Sequence, residues 1–214
     1  MEQSREIKVL DIIIALTDAV KKTQMIDENN CQYYLEDGVN RLWGAKYLLG
    51  QILRQYRIKE DHIFISVAAD KLWREITDGK EKIENYHYTM DVPVHKECKL
   101  NLYKGAAKEP FEKEKAFAPT NTFQYRQVFH DEHVIPIEDV IQKLISLETL
   151  NYENVQNILN NIYMCRMLKS ENIGLSHKGR PWSVVDTIRT IYHEKNIEIV
   201  DWDEKEKCII PNLG

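Results

Sequence analysis

Phe129-His130-Asp131-Glu132-His133-Val134-Ile135-Pro136-Ile137 packs two imidazoles and two carboxylates into four consecutive positions, then runs into a short apolar step ended by proline. The residues leading into it, Thr122 to Phe129, alternate between large apolar and polar side chains. Alternation over a short run is the mark of a strand with one face buried. The titratable cluster is therefore expected at the end of a strand.

Further upstream the same pattern holds over Tyr86 to Val128, where Val92, Val94, Leu100, Leu102 and Tyr103 alternate with polar residues. Lys104 to Pro119 is a charged connection punctuated by Gly and Pro. Before residue 84 the period is helical. Ile7, Leu10, Ile13, Ile14, Thr17 and Val20 recur at spacings of three and four, and Leu35, Val39, Leu42, Trp43, Leu49, Ile52 and Leu53 do so over Tyr33–Tyr56. Gly38, Gly44 and Gly50 fall inside that second run, each costing roughly 1 kcal/mol against Ala, which predicts an interruption or a close neighbouring backbone. Ile63 to Val67 reads as a short strand or a helix entry. Ala69, Leu72, Trp73 and Ile76 share one face of a helix that Asp78-Gly79-Lys80 stops.

Downstream, Val140, Ile141, Leu144 and Ile145 mark a helix over Glu138–Leu147. Thr149 or Asn151 is a candidate N-cap for another helix, expected to run to about Lys169 with Tyr163, Met164, Cys165 and Leu168 in the core. Asn172-Ile173-Gly174 supplies its stop, and Trp182–Glu194 is a further amphipathic helix. Ile197–Trp202 and Lys207–Ile210 suggest a terminal hairpin. The expected fold is α+β: N-terminal helices over 1–84, then an α+β region over 85–214 with a small antiparallel sheet, C-terminal helices and a closing hairpin. The two regions could form one continuous domain.

Of the 214 residues 43% are hydrophobic and 29% charged, which suits a packed globular chain and excludes a disordered one. The net charge of −5 disfavours a protein that coats nucleic acid nonspecifically, because such affinity rises with every phosphate neutralised. A local basic face remains compatible with it. The four cysteines, Cys31, Cys98, Cys165 and Cys208, form no C-x-x-C pair, so a structural zinc ribbon is not expected. Scattered thiols suit a reducing cytoplasm. The N-terminal residues show no signal pattern, and the run Ile12–Leu16 is too short to span a bilayer. These features point to a cytoplasmic protein with no membrane partner.

Adjacent acid and imidazole at a strand end are what metal-assisted phosphodiester hydrolysis requires. A carboxylate can hold a hard divalent cation, and an imidazole can take a proton from the attacking water. Glu132-His133-Val134-Ile135-Pro136 resembles the first motif of the HNH endonucleases, the ββα-metal superfamily, in which an acid or His precedes a His, two aliphatics and Pro. The resemblance implies His133 as general base and Glu132 as metal ligand, with Asp131 and His130 as further candidate ligands. It implies Mg²⁺ as the cofactor, with Mn²⁺ or Zn²⁺ as alternatives. Glu153-Asn154-Val155-Gln156 resembles the middle motif, whose Asn orients the catalytic His. The third motif, a His or Asn followed by a Lys, has three possible registers: from Asn154 it falls near Ile162 or Tyr163, from Asn157 it gives Arg166 and Lys169, and from Asn151 it gives Asn160 or Asn161.

The most basic short loop, Ser176-His177-Lys178-Gly179-Arg180-Pro181, offers His177, Lys178 and Arg180 to phosphates. Lys169 or Arg180 could steady the transition-state phosphate. The expected partner is nucleic acid, DNA in preference to RNA. Small nucleases of this type often serve in restriction or phage defence, and a cutter of palindromic DNA would favour a homodimer. Two other readings stand beside this one: a non-enzymatic interaction or regulatory protein in which the His-rich step is structural, and an RNase working through His and Lys without metal.

Overall fold

In a computed structural model the described residues are 2–28, 41–56, 58–87, 89–94, 122–176 and 178–209. The chain divides into two compact units, Met1–Ile58 with Ile135–Ile162, and Lys59–Val134 with Tyr163–Gly214. The division does not fall at residue 84, because the chain leaves the second unit at the end of the His-rich strand and re-enters it 28 residues later, at Tyr163. The overall class is α+β, as the mixture of periods predicts.

The first unit is helical: α1 (Glu2–Glu28), α2 (Arg41–Arg54), α4 (Ile137–Ser146) and α5 (Tyr152–Leu159). Leu10, Ile13, Thr17 and Val20 form the buried stripe of α1, against Leu49 and Leu53 of α2, Val140, Ile141 and Leu144 of α4, and Val155 and Leu159 of α5. Thr17 is tolerated there because its hydroxyl donates to the Ile13 carbonyl at 2.7 Å. Of the glycines expected to mark a close approach, Gly50 does so: a Cβ there would lie 3.1 Å from Arg54 and 3.6 Å from Ile141. Gly44 faces open space, and Gly38 lies outside the described residues.

The second unit is built on a three-stranded mixed sheet of β1 (Ile63–Ile65), β4 (Phe129–His133) and β5 (Met164–Leu168), with β5 in the centre. β5 runs parallel to β1 and antiparallel to β4, pairing Asp131 with Arg166 and Glu132 with Cys165. A separate antiparallel pair joins β2 (Asp91–Pro93) to β3 (Thr122–Gln124). Ser66 follows β1 and caps α3 (Val67–Thr77), accepting from the Ala69 N–H at 3.1 Å. Asp78 ends α3 in the left-handed conformation, with Gly79 beside it at φ 67°. Ala69, Leu72, Trp73 and Ile76 bury the predicted face of α3 on one side of the sheet, with Ile65, Tyr125, Phe129 and Leu168. The remaining helices are α6 (Lys169–Ile173), α7 (Val184–Thr187), which continues as a π-helical turn over Ile188–Tyr192, and α8 (Trp202–Ile209). Among the described residues no helix is long and apolar enough to cross a membrane.

Three expectations are corrected. The helix expected to reach Lys169 ends at Leu159, and Met164–Leu168 is the central strand. Both faces of β5 are covered, so it shows no polar alternation, and a short apolar run cannot be told from a helix by period. The terminal hairpin is absent from the described residues: Trp202–Ile209 is a helix, with Asp203 and Glu204 in its first turn where the dipole favours them. Asp201, at φ 54°, breaks the extended run before it, and Ile199 keeps only an isolated bridge to Ser66. The stretch Thr122–Phe129 is interrupted by a 3₁₀ turn at Tyr125–Gln127, so it forms the end of one pair and the start of another. Expectations for Leu35, Val39, Leu100, Leu102, Tyr103 and Lys104–Pro119 lie outside the described residues.

Candidate functional site

Side chains alternate across a strand, and this decides how the cluster on β4 is used. Asp131 and His133 lie on the face of β4 that carries Phe129, whereas His130 and Glu132 lie on the other. The expected neighbours Glu132 and His133 therefore project to opposite faces of one strand end. His130 and Glu132, two positions apart, are brought together, with Nε2 of His130 3.5 Å from Oε2 of Glu132.

On its own face Asp131 has a structural task. It accepts a hydrogen bond from Tyr125 Oη at 2.8 Å and lies 3.8 Å from Arg166 Nε. Arg166, in the cross-strand position, donates to the carbonyls of Ile83 and Tyr86, tying the segment after α3 to the sheet. Burial, and then the Asp131 charge, hold the Tyr125 phenol far above its ordinary value. Asp131 is thus a half-buried hydrogen-bond acceptor engaged by Tyr125 and Arg166, and its assignment as a metal ligand is not supported by its surroundings. His133 is half-buried at the end of β4.

The opposite face holds a denser group. Glu132 is buried, and its Oε1 lies 2.7 Å from a terminal nitrogen of Arg180, whose side chain is fully enclosed. Cys165, the cross-strand partner of Glu132, is wholly buried. Burial raises its thiol pKa, and Glu171 and then Glu132 push it higher, which makes the thiol inert. Glu171 is carried by α6, which follows β5 directly and packs against both β4 and β5. One Glu171 oxygen accepts from Ser66 Oγ and from the Leu168 N–H, both at 2.7 Å. Burial raises the Glu171 carboxyl above its usual range, and those two donors oppose the rise. Tyr192, which ends the π-helical turn after α7, is fully buried: burial, then the Cys165 and Glu132 charges, raise its phenol pKa, and Arg180 lowers it.

The other expected site residues are dispersed. Asn154 belongs to α5 in the first unit. Its N–H bonds the Asn151 cap at 2.8 Å and its amide donates to the Thr149 carbonyl at 3.0 Å, so it stabilises its own helix start. Lys169 opens α6, its N–H bonded to the Val128 carbonyl at 3.0 Å. Lys178 is exposed, in a turn held by Ser176 Oγ. His177 lies outside the described residues. Arg180 is corrected most sharply. It is a buried partner of Glu132, and an enclosed guanidinium cannot reach a phosphate.

Sequence reasoning missed β5, and with it α6, Glu171 and Asn172. A signal was present: Leu168-Lys169-Ser170-Glu171 places a Glu three residues after a helix cap, where its carboxylate can reach back to the cap N–H. Asn172, next along α6, has a buried side-chain oxygen with no hydrogen-bond partner among the described residues. A buried acceptor in that state costs about 1–3 kcal/mol, and a cation would satisfy it.

Among the described residues no three His, Cys, Asp or Glu side chains converge on one point, which does not suit a closed structural zinc site. On the Glu132 face the His130 imidazole lies 3.5 Å from Oε2 of the carboxylate, and Arg180 holds Oε1. Comparison of the chain with protein-family models, with curated proteins and with solved structures finds no match.

Proposed function

We propose that the protein is a divalent-metal-dependent endonuclease acting on DNA in preference to RNA. One observation carries this reading: β4 and β5 form an antiparallel pair followed at once by α6, and Glu132 of the strand and Glu171 of the helix bear on the same buried thiol. Strand, strand and helix in that order are what the resemblance of Glu132-His133-Val134-Ile135-Pro136 to HNH endonucleases implies, with α4 and α5 inserted between the strands.

In this reading Glu132 holds the cation. The bound ion would polarise a phosphate oxygen and offset charge between an acidic protein and its substrate. His130, on the same face as Glu132 and 3.5 Å from its Oε2, takes the proton from the attacking water, a task that His133 cannot perform from the opposite face. Lys178, on the exposed turn beside Arg180, contacts the substrate backbone. A second reading has one observation in its favour: Oε1 of Glu132 is already neutralised by Arg180, as in a purely structural ion pair of a non-catalytic protein.

The two readings separate in one assay. Supercoiled plasmid, single-stranded DNA and RNA are incubated side by side with the full chain in Mg²⁺, with and without EDTA. Nicking of plasmid that EDTA abolishes is the expected outcome. Cleavage of RNA alone, unaffected by EDTA, would support a metal-independent RNase, and no cleavage of any substrate would favour the structural reading.

A further inference from the structure

Lys46, Gly50 and Arg54 stand one turn apart along a single stripe of α2. Beside them a notch of about 250 Å³ opens between α2 and α4, lined by these three with Tyr47, Glu138 and Ile141. All six belong to the helical unit. The two cations differ in their engagement. Lys46 pairs with Glu138, whose carboxylate also accepts from Gln142 at 3.0 Å. Burial raises the Glu138 carboxyl, but the Lys46 and Gln142 bonds and the Lys46 and Arg54 charges bring it below its ordinary value. Arg54 is exposed and makes no side-chain hydrogen bond or ion pair among the described residues.

A glycine inside a helix is less favourable than alanine. Gly44 leaves only open space, whereas Gly50 leaves a bounded floor, with Arg54 Nη1 and Ile141 Cδ1 at its edge. That suits a small tetrahedral anion, because a planar fork of N–H donors matches two oxygens of a phosphate. Two cations against one carboxylate leave the lining with one positive charge. A chain of net charge −5 can hold nucleic acid only where its cations are locally uncompensated.

We propose that this notch binds one phosphodiester of the nucleic-acid backbone, with the Arg54 guanidinium as donor and Gly50 as the space that admits it. The choice of ligand rests on the nuclease reading above. A phosphate contact of this kind positions the substrate and carries no sequence preference.

The test is binding of the full chain to two short duplexes of unrelated sequence, in EDTA so that neither is cut, followed by fluorescence anisotropy over a range of salt. Arg54→Ala is expected to weaken both duplexes equally, by about 5–10-fold at about 0.1 M salt. It should also reduce the slope of log K against log[salt] by about 1. Arg54→Gln, which keeps most of the side chain, is expected to behave in the same way. Gly50→Ala keeps every charge and favours the helix, but its Cβ occupies the floor of the notch. Its urea midpoint should be no lower than that of the wild type, and its affinity should fall toward that of Arg54→Ala. With Arg54→Ala already present, Gly50→Ala should weaken binding no further. Lys22→Ala removes one charge from α1, where Lys22 pairs with Asp18, and should leave the slope unchanged. An unchanged slope in Arg54→Ala, full affinity in Gly50→Ala, or an equal loss in Lys22→Ala would overturn the proposal. So would displacement of the duplex by inorganic phosphate at matched ionic strength that Arg54→Ala abolishes, because the notch would then belong to a free phosphate. A reduced slope in Arg54→Ala without metal-dependent cleavage by the wild type would uphold the contact and overturn the nuclease chemistry. Cleavage with unchanged slopes would do the reverse. Failure of the wild type to bind either duplex would overturn both.

Discussion

His130→Ala is expected to lower metal-dependent cleavage by about a hundred- to ten-thousand-fold, the usual contribution of a positioned general base. Its unfolding midpoint should stay close to that of the wild type. The basis is the place of His130 on β4. It is half-exposed on the face that carries Glu132, with Nε2 3.5 Å from Oε2, and is not part of the buried ion pair of Glu132 and Arg180. Loss of the ring therefore removes a proton acceptor at modest structural cost. Rates are best measured under single-turnover conditions across pH, because a missing base also removes the acid limb of the profile. If His130→Ala cleaved as fast as the wild type, with the same pH dependence, the residue would have no part in the reaction.

Trp73→Ala is expected to destabilise the second unit by about 3–5 kcal/mol, the cost of deleting a large aromatic from a packed core. The side chain is almost wholly enclosed and its Nε1–H donates to the Glu81 carbonyl at 2.7 Å. The ring lies 4.8 Å from Tyr86, 5.5 Å from Phe129 and 6.4 Å from Tyr125, centroid to centroid. The substitution opens a cavity and strands a carbonyl, and neighbouring rings cannot fill the space without leaving their own contacts. Urea unfolding monitored by circular dichroism should show a lower midpoint for the transition of this unit. Because Phe129 begins the strand that carries the site, partial loss of activity should accompany it. A midpoint within 0.5 kcal/mol equivalents of wild type, on the order of a surface change, would mean that this aromatic cluster does not hold the sheet.

How much of this could be read from the chain follows from which residues advertise their neighbours. α3 was legible because Leu72, Trp73 and Ile76 show a helical period against an exposed polar face. The start of α5 was legible in Asn151, a short polar side chain able to cap. β5 was not. Met-Cys-Arg-Met-Leu is covered on both faces, has no β-branched residue, and follows a true helix, so its local sequence favoured continuing that helix. Missing β5 hid α6, and hence Glu171, which comes to the Cys165 thiol only through the return of the chain from the inserted helices. Arg180 was misread for a related reason. In a basic loop with Lys178 and Gly179 it resembles a solvated cation, and only the fold shows that Glu132 lies across from it. The split of His130 with Glu132 from Asp131 with His133 was available from strand alternation alone.

The central claim is that Glu132 holds a divalent cation on one face of β4. Its most direct test is Mn²⁺ binding to the full chain, followed by calorimetry or electron paramagnetic resonance, for wild type and Glu132→Gln. The expected result is saturable binding by the wild type, weakened by at least about 10–100-fold in the variant, with both proteins folded. Equal Mn²⁺ affinity in the two proteins, or no saturable binding by the wild type, would contradict it.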